Sequence, residues 1–322
     1  MDMLNKTQKI ISIHTLSHDS NIMEIIHEQG DDAVAKAYLA RFGDDDCYVE
    51  FVDSLGGATS RKDKWVIIVS SMFGCPINCK FCDAGHFYEG KLTADELMQQ
   101  IDYVVRKNYP SGKIDTKKFK VQFARIGEPS LNDAVLEAIL QVRERYSPKH
   151  YMPCISTIAP SGRETWFRRL KELNHEHFSG NFQLQFSIHS TDEDRRDFLM
   201  PVDKWSLERI SDYGGEFYIG GRKVTLNFAL HPDNIIDVNK LRRTFSPNTF
   251  AIKITPLNPT SMAEKNRLIN VFSDEDALRY PIIEEMRKAG FQVHLSIGDL
   301  RENEIKSNCG QVLQQYLDSM QK

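Results

Sequence analysis

From residue 65 onward the 322-residue chain alternates short apolar runs with segments patterned for helices. Strand-length runs are read at 65–71, 119–125, 152–158, 182–189, 223–230 and 250–257, each followed by a helix signal. Thr93-x-x-Glu96 is a capping box ahead of Leu97, Ile101, Val104 and Val105. Asn132 can cap a helix through Val135 and Ile139, and Ser273 one that runs through Met286 to Gly290. Strands that alternate with helices pair in parallel, so the fold class is α/β. Six such units suit a barrel, and in barrels of this kind chemistry sits at the C-terminal ends of the strands.

Before this alternation, residues 10–17 and 34–54 read as short strands, the latter turning at Gly43-Asp44-Asp45-Asp46. Residues 1–60 carry 4 Lys and Arg against 11 Asp and Glu, although the whole chain is only at net charge −4. The expected organisation is a small acidic, β-rich N-terminal extension over residues 1–60. A barrel domain over 61–322 follows, ending in a helical segment. An acidic segment is a poor phosphate-binding face, which argues against a nucleic-acid module there. No leader-like stretch opens the chain and no run approaches the ~18 apolar residues of a spanning helix. The six cysteines are too few for a disulfide scaffold, and a reducing compartment follows. The sequence therefore reads as a cytoplasmic protein with no membrane partner.

Three of those cysteines, Cys75, Cys79 and Cys82, form C-x3-C-x2-C on the loop after the first strand of the alternation, Trp65-Val66-Ile67-Ile68-Val69. Thiolates hold iron–sulfur clusters, and three ligands on a four-iron cube leave one iron open to another ligand. Zinc would favour a second, distant cysteine pair, which is absent, and three unrelated core thiols are the remaining reading.

With Phe81 before the last cysteine, this stretch resembles the signature of the radical S-adenosylmethionine (radical SAM) superfamily. Further motifs are similar to the RlmN/Cfr family of ribosomal-RNA adenosine methyltransferases. They are Val69-Ser70-Ser71, Phe81-Cys82-Asp83-Ala84-Gly85, Leu92-Thr93-Ala94-Asp95-Glu96-Leu97 and Gly127-Glu128-Pro129-Ser130-Leu131-Asn132. Ser156-Thr157, Ser187-Ile188-His189, Pro256-Leu257-Asn258-Pro259 and Asn308-Cys309-Gly310-Gln311 follow in the same order.

The resemblance implies a partial (β/α)6 TIM-like radical SAM barrel, a [4Fe–4S] cluster on Cys75, Cys79 and Cys82, and S-adenosylmethionine on the open iron. It implies cofactor contacts from Gly127, Glu128, Ser156, Ser187, His189 and Asn258, with Glu128 on the methionine amino group. Cys309 would first take a methyl group from one cofactor molecule. A second, cleaved molecule would then convert that methyl to a radical that adds to an adenosine carbon. Glu50 is similar in context to the family's proton acceptor. An RNA substrate and an electron donor such as flavodoxin or ferredoxin are the implied partners.

Read without the resemblance, Glu128 is a turn residue, the strand-end serines are caps, Cys309 is a core thiol and Glu50 is an exposed strand carboxylate. The chain also departs from the family. Arg125-Ile126 precede Gly127 where Gly-Met is usual, and Ile68 stands where the family has a second cysteine that resolves the enzyme–RNA adduct. Cys47 is the candidate substitute. The family's N-terminal helical RNA-binding domain is missing or replaced by the acidic segment. Arg106, Lys107, Lys113, Lys117, Lys118 and Lys120, among Tyr103, Tyr109 and Phe119, form the basic cluster available to RNA, or else a solvated face. Two other functions stay open: a radical SAM enzyme retargeted to a peptide or small molecule, and a non-catalytic iron–sulfur redox sensor.

Overall fold

The computed structural model describes residues 22–43, 47–58, 60–85, 87–230, 234–268, 281–296 and 310–320. The expected strand at 10–17, the Ser273 helix start and Cys309 lie outside the described residues. Three strands open the described chain, β1 (Met23–Asp31), β2 (Ala35–Phe42) and β3 (Cys47–Ser54), each antiparallel to the next. The sheet continues through β4 (Trp65–Val69), which is antiparallel to β3. A small separate ribbon follows, β5 (Met72–Gly74) paired with β6 (Tyr88–Lys91).

From there the chain winds α1 (Ala94–Asn108), β7 (Phe119–Phe123), α2 (Ala134–Tyr146), β8 (Tyr151–Thr157), α3 (Glu164–Leu173) and β9 (Gln183–Ser187). It goes on through α4 (Glu193–Leu199), α5 (Leu207–Phe217), β10 (Val224–Leu230), α6 (Val238–Thr244), β11 (Phe250–Pro256) and α7 (Ser261–Lys265). Among the described residues α8 (Pro281–Lys288), β12 (Gln292–Leu295) and α9 (Gln311–Met320) complete it. The resulting 10-stranded sheet has the order β1-β2-β3-β4-β7-β8-β9-β10-β11-β12 and is open rather than closed into a barrel. Strands β4 and β7 to β12 run parallel.

All six strands read from the alternation are present, and β12 adds a seventh parallel strand. Strand β1 is the other addition. It is a half-exposed edge whose Glu24, His27, Glu28 and Gln29 hide the apolar alternation that a two-sided strand would show. The capping box at Thr93 forms as read, with Thr93 Oγ1 accepting from the Glu96 N–H at 3.2 Å and Glu96 Oε2 from the Thr93 N–H at 2.7 Å. Asn132 sits one residue before the cap of α2. It accepts from the Ala134 N–H at 3.1 Å and donates to the carbonyls of Ser71 and Leu92, tying α2 to the strand ends.

The pleat sorts the side chains. Phe119, Val121 and Phe123 of β7, Leu184 and Phe186 of β9 and Leu226 and Phe228 of β10 face the helices and join one apolar core. Their neighbours Gln122, Gln185 and Asn227 face the concave side. Over β2 and β3 that concave side is covered by α9, whose Val312 and Leu313 pack with Leu39, Val52 and Ile126. Asp53 fastens β3 to its surroundings, accepting from Trp65 Nε1 at 2.6 Å, Arg61 Nη2 at 3.0 Å and Asn108 Nδ2 at 2.9 Å.

Candidate active site

The loop that carries Cys75, Cys79 and Cys82 joins β5 to β6, and its course depends on Gly74. At φ +76 a side chain is strained, and a Cβ there would overlap the Phe87 carbonyl oxygen. The Cys75 N–H donates to that carbonyl at 3.1 Å, the Cys82 N–H to Cys79 at 3.2 Å, and the Lys80 N–H to Leu199 of α4 at 3.0 Å. All three thiols face one cavity of about 410 Å³. Burial pushes the Cys75 thiol up to about 12 and Cys79 well above the usual thiol range, and the neighbouring Cys82 pushes both in the same direction. Such thiols become thiolates only against a cation, as a metal cluster supplies. No three His, Cys, Asp or Glu side chains among the described residues close on a single ion. A cube offers each thiol its own iron, so its ligands need not converge on a point.

Gly127 and Glu128 follow β7 and enter the same cavity. Gly127 has φ +104, and a Cβ would stand 2.6 Å from Ser71 Oγ and 2.8 Å from Met72 Cβ, so the position tolerates only glycine. The Glu128 carboxylate is buried. Its Oε1 accepts from the Ser130 N–H at 3.0 Å, Ser130 Oγ at 2.7 Å and Thr157 Oγ1 at 2.5 Å, and its Oε2 accepts from the Ile158 N–H at 3.0 Å. A carboxylate offers about four lone-pair directions, two on each oxygen, so Oε2 retains acceptor capacity for a further donor. Burial raises the Glu128 carboxyl above its ordinary value, and the hydroxyl and backbone donors oppose that rise.

Ser156, Ser187, His189 and Asn258 line the cavity as well. His189 sits at φ 58, edge-on to Phe81 with ring centroids 4.8 Å apart. Its Nδ1 accepts from the Ala229 N–H at 3.0 Å, which makes Nε2 the protonated ring nitrogen. Every residue assigned above to cluster or cofactor binding therefore shares this one cavity.

Glu50 does not line it. It is fully buried on β3, which removes the reading of an exposed carboxylate, and its Oε2 pairs with Arg125 Nη2 at 2.6 Å. Cys47 packs on the helix-facing side of the sheet and is not part of the cavity wall. The basic cluster is also dispersed. Lys107 pairs with Glu28 at 2.7 Å, Lys117 with Asp63 at 2.8 Å, and Lys120 is buried against Gln183 Oε1 at 2.6 Å. Phe119 and Tyr109 pack on Trp65, and Tyr103 on Tyr38 and Phe51, so these rings make no stacking platform. The run from Arg106 to Lys120 spans the end of α1, a loop and the start of β7.

The reading of strand ends missed Gln122, Gln185, Asn227 and Lys253, which line the cavity together with Arg125. The signal was available: each is a polar residue at an inward position of an otherwise apolar strand or at its end. Gln185 Nε2 donates to Ser156 Oγ at 2.9 Å and so sets that hydroxyl's direction.

Comparison with known proteins decides the family. The family model described as the Radical SAM superfamily matches residues 69–244, more than half of the chain. The chain belongs to the radical SAM superfamily. It is similar to the dual-specificity RNA methyltransferase RlmN of Sulfurovum sp. (strain NBC37-1), 24% identical over 271 residues that cover 81% of this chain and 70% of that protein. It is 27% identical to the RlmN of Nautilia profundicola over 262 residues, 76% of this chain and 70% of that one. In fold it is similar to a radical SAM methyltransferase from Sphaerobacter thermophilus, with a TM-score of 0.66 at 22% identity, covering 90% of this chain and 80% of that one. Membership of the radical SAM superfamily makes the chain an enzyme and implies a [4Fe–4S] cluster and S-adenosylmethionine. No helix among the described residues is long and apolar enough to cross a membrane.

Anaerobically prepared radical SAM protein is expected to carry about four irons and four sulfides. Replacing Cys75, Cys79 and Cys82 together by alanine should abolish the visible absorption. Zinc as the sole metal, or a cluster retained by the triple variant, contradicts the assignment.

Proposed function

We propose that this radical SAM enzyme is an RlmN/Cfr-type methyltransferase that acts on an adenosine carbon in RNA, with Cys309 as carrier of the methyl group. The observation that carries this reading is the position of Gly310, the sequence neighbour of Cys309. Gly310 is buried at φ +84, where a Cβ would meet the Ala84 nitrogen at 2.7 Å and the Asp83 carbonyl carbon at 2.8 Å. The segment that follows Cys309 is thereby pressed against the residues that follow Cys82. The names of the relatives, RNA methyltransferases at 24–27% identity, support the same substrate class.

A [4Fe–4S] cluster on Cys75, Cys79 and Cys82 would supply the electron that cleaves S-adenosylmethionine, drawn from a reductant such as flavodoxin or ferredoxin. Glu128 would hold the methionine ammonium through the acceptor capacity left on Oε2, a charge-assisted hydrogen bond inside a buried site. His189 Nε2, Ser156, Ser187 and Asn258 supply donors and acceptors for the ribose hydroxyls and the carboxylate. With S-adenosylmethionine bound, Cys309 would act as the nucleophile that accepts its methyl group, the new S–C bond replacing the sulfonium C–S bond and S-adenosylhomocysteine being the leaving group. Ile68 packs among apolar residues beside α9 and takes no proton, so release of an RNA adduct needs a group other than a thiol at that position.

Two outcomes follow. Because burial raises the Glu128 carboxyl, it protonates at a higher pH than an ordinary glutamate with a value of 4.5. Cofactor affinity should therefore fall as pH drops through that raised value, and Glu128→Ala should weaken it by about 1.5–3 kcal/mol at pH 7. Equilibrium binding between pH 5 and 8 measures both, and a flat profile with unchanged affinity leaves Glu128 a turn residue. Peptide mass analysis of protein expressed with its cluster should find one added methyl on the peptide containing Cys309. Cys309→Ala should end methylation of an adenosine-containing RNA while uncoupled cofactor cleavage persists. Full methylation by Cys309→Ala overturns the reading.

A further inference from the structure

The Glu50 carboxylate is held from three directions. Its Oε1 accepts from the Leu313 N–H at 2.6 Å, and its Oε2 accepts from the Gly310 N–H at 3.0 Å while Arg125 Nη2 stands 2.6 Å away. Gly310 and Leu313 belong to the start of α9, where the first N–H groups have no partner within the helix and the helix dipole favours a negative charge. The backbone of Glu50 is fixed too, because its carbonyl accepts from Ser70 Oγ at 2.5 Å. A general base must reach the proton that it takes, within hydrogen-bond distance or through one water. Glu50 is fully buried, lies off the cavity wall, and turns both oxygens toward α9 and Arg125.

The contacts of the cluster loop extend the same arrangement. Asp83 accepts from the N–H groups of Ser261 at 3.2 Å and Met262 at 2.9 Å, Thr260 Oγ1 donates to the Phe81 carbonyl at 2.9 Å, and Gln311 Nε2 donates to the Pro259 carbonyl at 2.9 Å. Asp83 thus binds the start of α7 to the cysteine loop, while Glu50 binds the start of α9 to β3, with Gly310 wedged between Glu50 and Asp83.

We propose that Glu50 is a positioning residue: with Arg125 as its counter-charge, it latches the C-terminal segment onto β3, which holds Gly310 against Asp83 and Ala84 of the cluster loop. The latch matters for chemistry on the reading that Cys309 carries the methyl group, since it fixes the chain immediately after that residue. Arg125 faces the cavity as well, so one guanidinium neutralises the latch and forms part of the pocket wall. The unusual Arg125-Ile126 before Gly127 thereby acquires a role.

Residue-resolved hydrogen exchange on the full-length, cluster-loaded protein tests the latch. In the wild type the Gly310 and Leu313 amides should be protected although both lie at the start of α9. Glu50→Gln should speed their exchange about tenfold, the scale of one lost charge-assisted hydrogen bond. Arg125→Met should speed it further, on the order of a hundredfold, because a buried carboxylate is left without its partner. Adding Glu50→Gln to Arg125→Met should slow exchange again. In Glu50→Gln, whose side chain lies off the cavity wall, methyl occupancy of Cys309 should fall while uncoupled cofactor cleavage persists. Labelling of Cys154, a buried thiol elsewhere in the sheet, reports global unfolding. Should a variant unfold, wild-type protection decides alone. Fast exchange at Gly310 and Leu313 in the wild type, or wild-type exchange in folded Glu50→Gln with turnover lost, overturns the proposal. A protected latch with no methyl ever found on Cys309 would instead count against the methyl-carrier reading and leave the latch standing.

Discussion

Everything at the site depends on the pleat of the parallel strands. Because successive side chains point to opposite faces, each strand from β7 to β10 can bury phenylalanine, valine and leucine under helices while turning glutamine, serine and asparagine to the concave side. The helix-facing core holds the sheet, and the sheet brings the ends of its parallel strands close together. Glu128, Ser156, Ser187 and Asn258 are far apart in the chain, yet they meet because each follows or closes a strand of that one sheet, and the β5–β6 ribbon brings Cys75 to the same cavity.

Buried carboxylates then set the fine positions. Glu128, Glu50 and Asp83 each accept backbone N–H groups from a neighbouring segment, and each fixes a loop that carries a candidate functional residue. A buried carboxylate without such donors would cost several kcal/mol, so each of these loops is committed to one place. The three carboxylates differ in what they leave open. Glu128 retains acceptor capacity in the cavity, whereas Glu50 turns its oxygens to Arg125 and α9.

Much of this was legible in the sequence, for identifiable reasons. The six strands between residues 65 and 257 were read within about two residues because their helix-facing positions are uniformly apolar. The six positions that the family resemblance named for the cofactor all line one cavity at the strand ends, where a parallel sheet presents chemistry. The edge strand β1 was not legible, since exposure on both faces leaves no period-two pattern. The partner of Glu50 was not legible either, because Gly310 lies 260 residues away and only the tertiary fold brings them together. The basic run from Arg106 to Lys120 read either as an RNA contact or as a solvated face, and the sequence did not show that Lys107 and Lys117 sit in ion pairs or that Lys120 turns inward as its strand begins.

The account stands or falls on whether Cys309 hands its methyl group to the radical chemistry of the cluster-bearing pocket. Reduced, anaerobic enzyme supplied with S-adenosylmethionine deuterated at the methyl group gives the most direct test, read by mass spectrometry of the 5′-deoxyadenosine formed. The account predicts deuterium in that product from the wild type, because the hydrogen abstracted comes from the methyl group on Cys309, and none from Cys309→Ala. Deuterium-free 5′-deoxyadenosine from a wild type that turns over normally would contradict it.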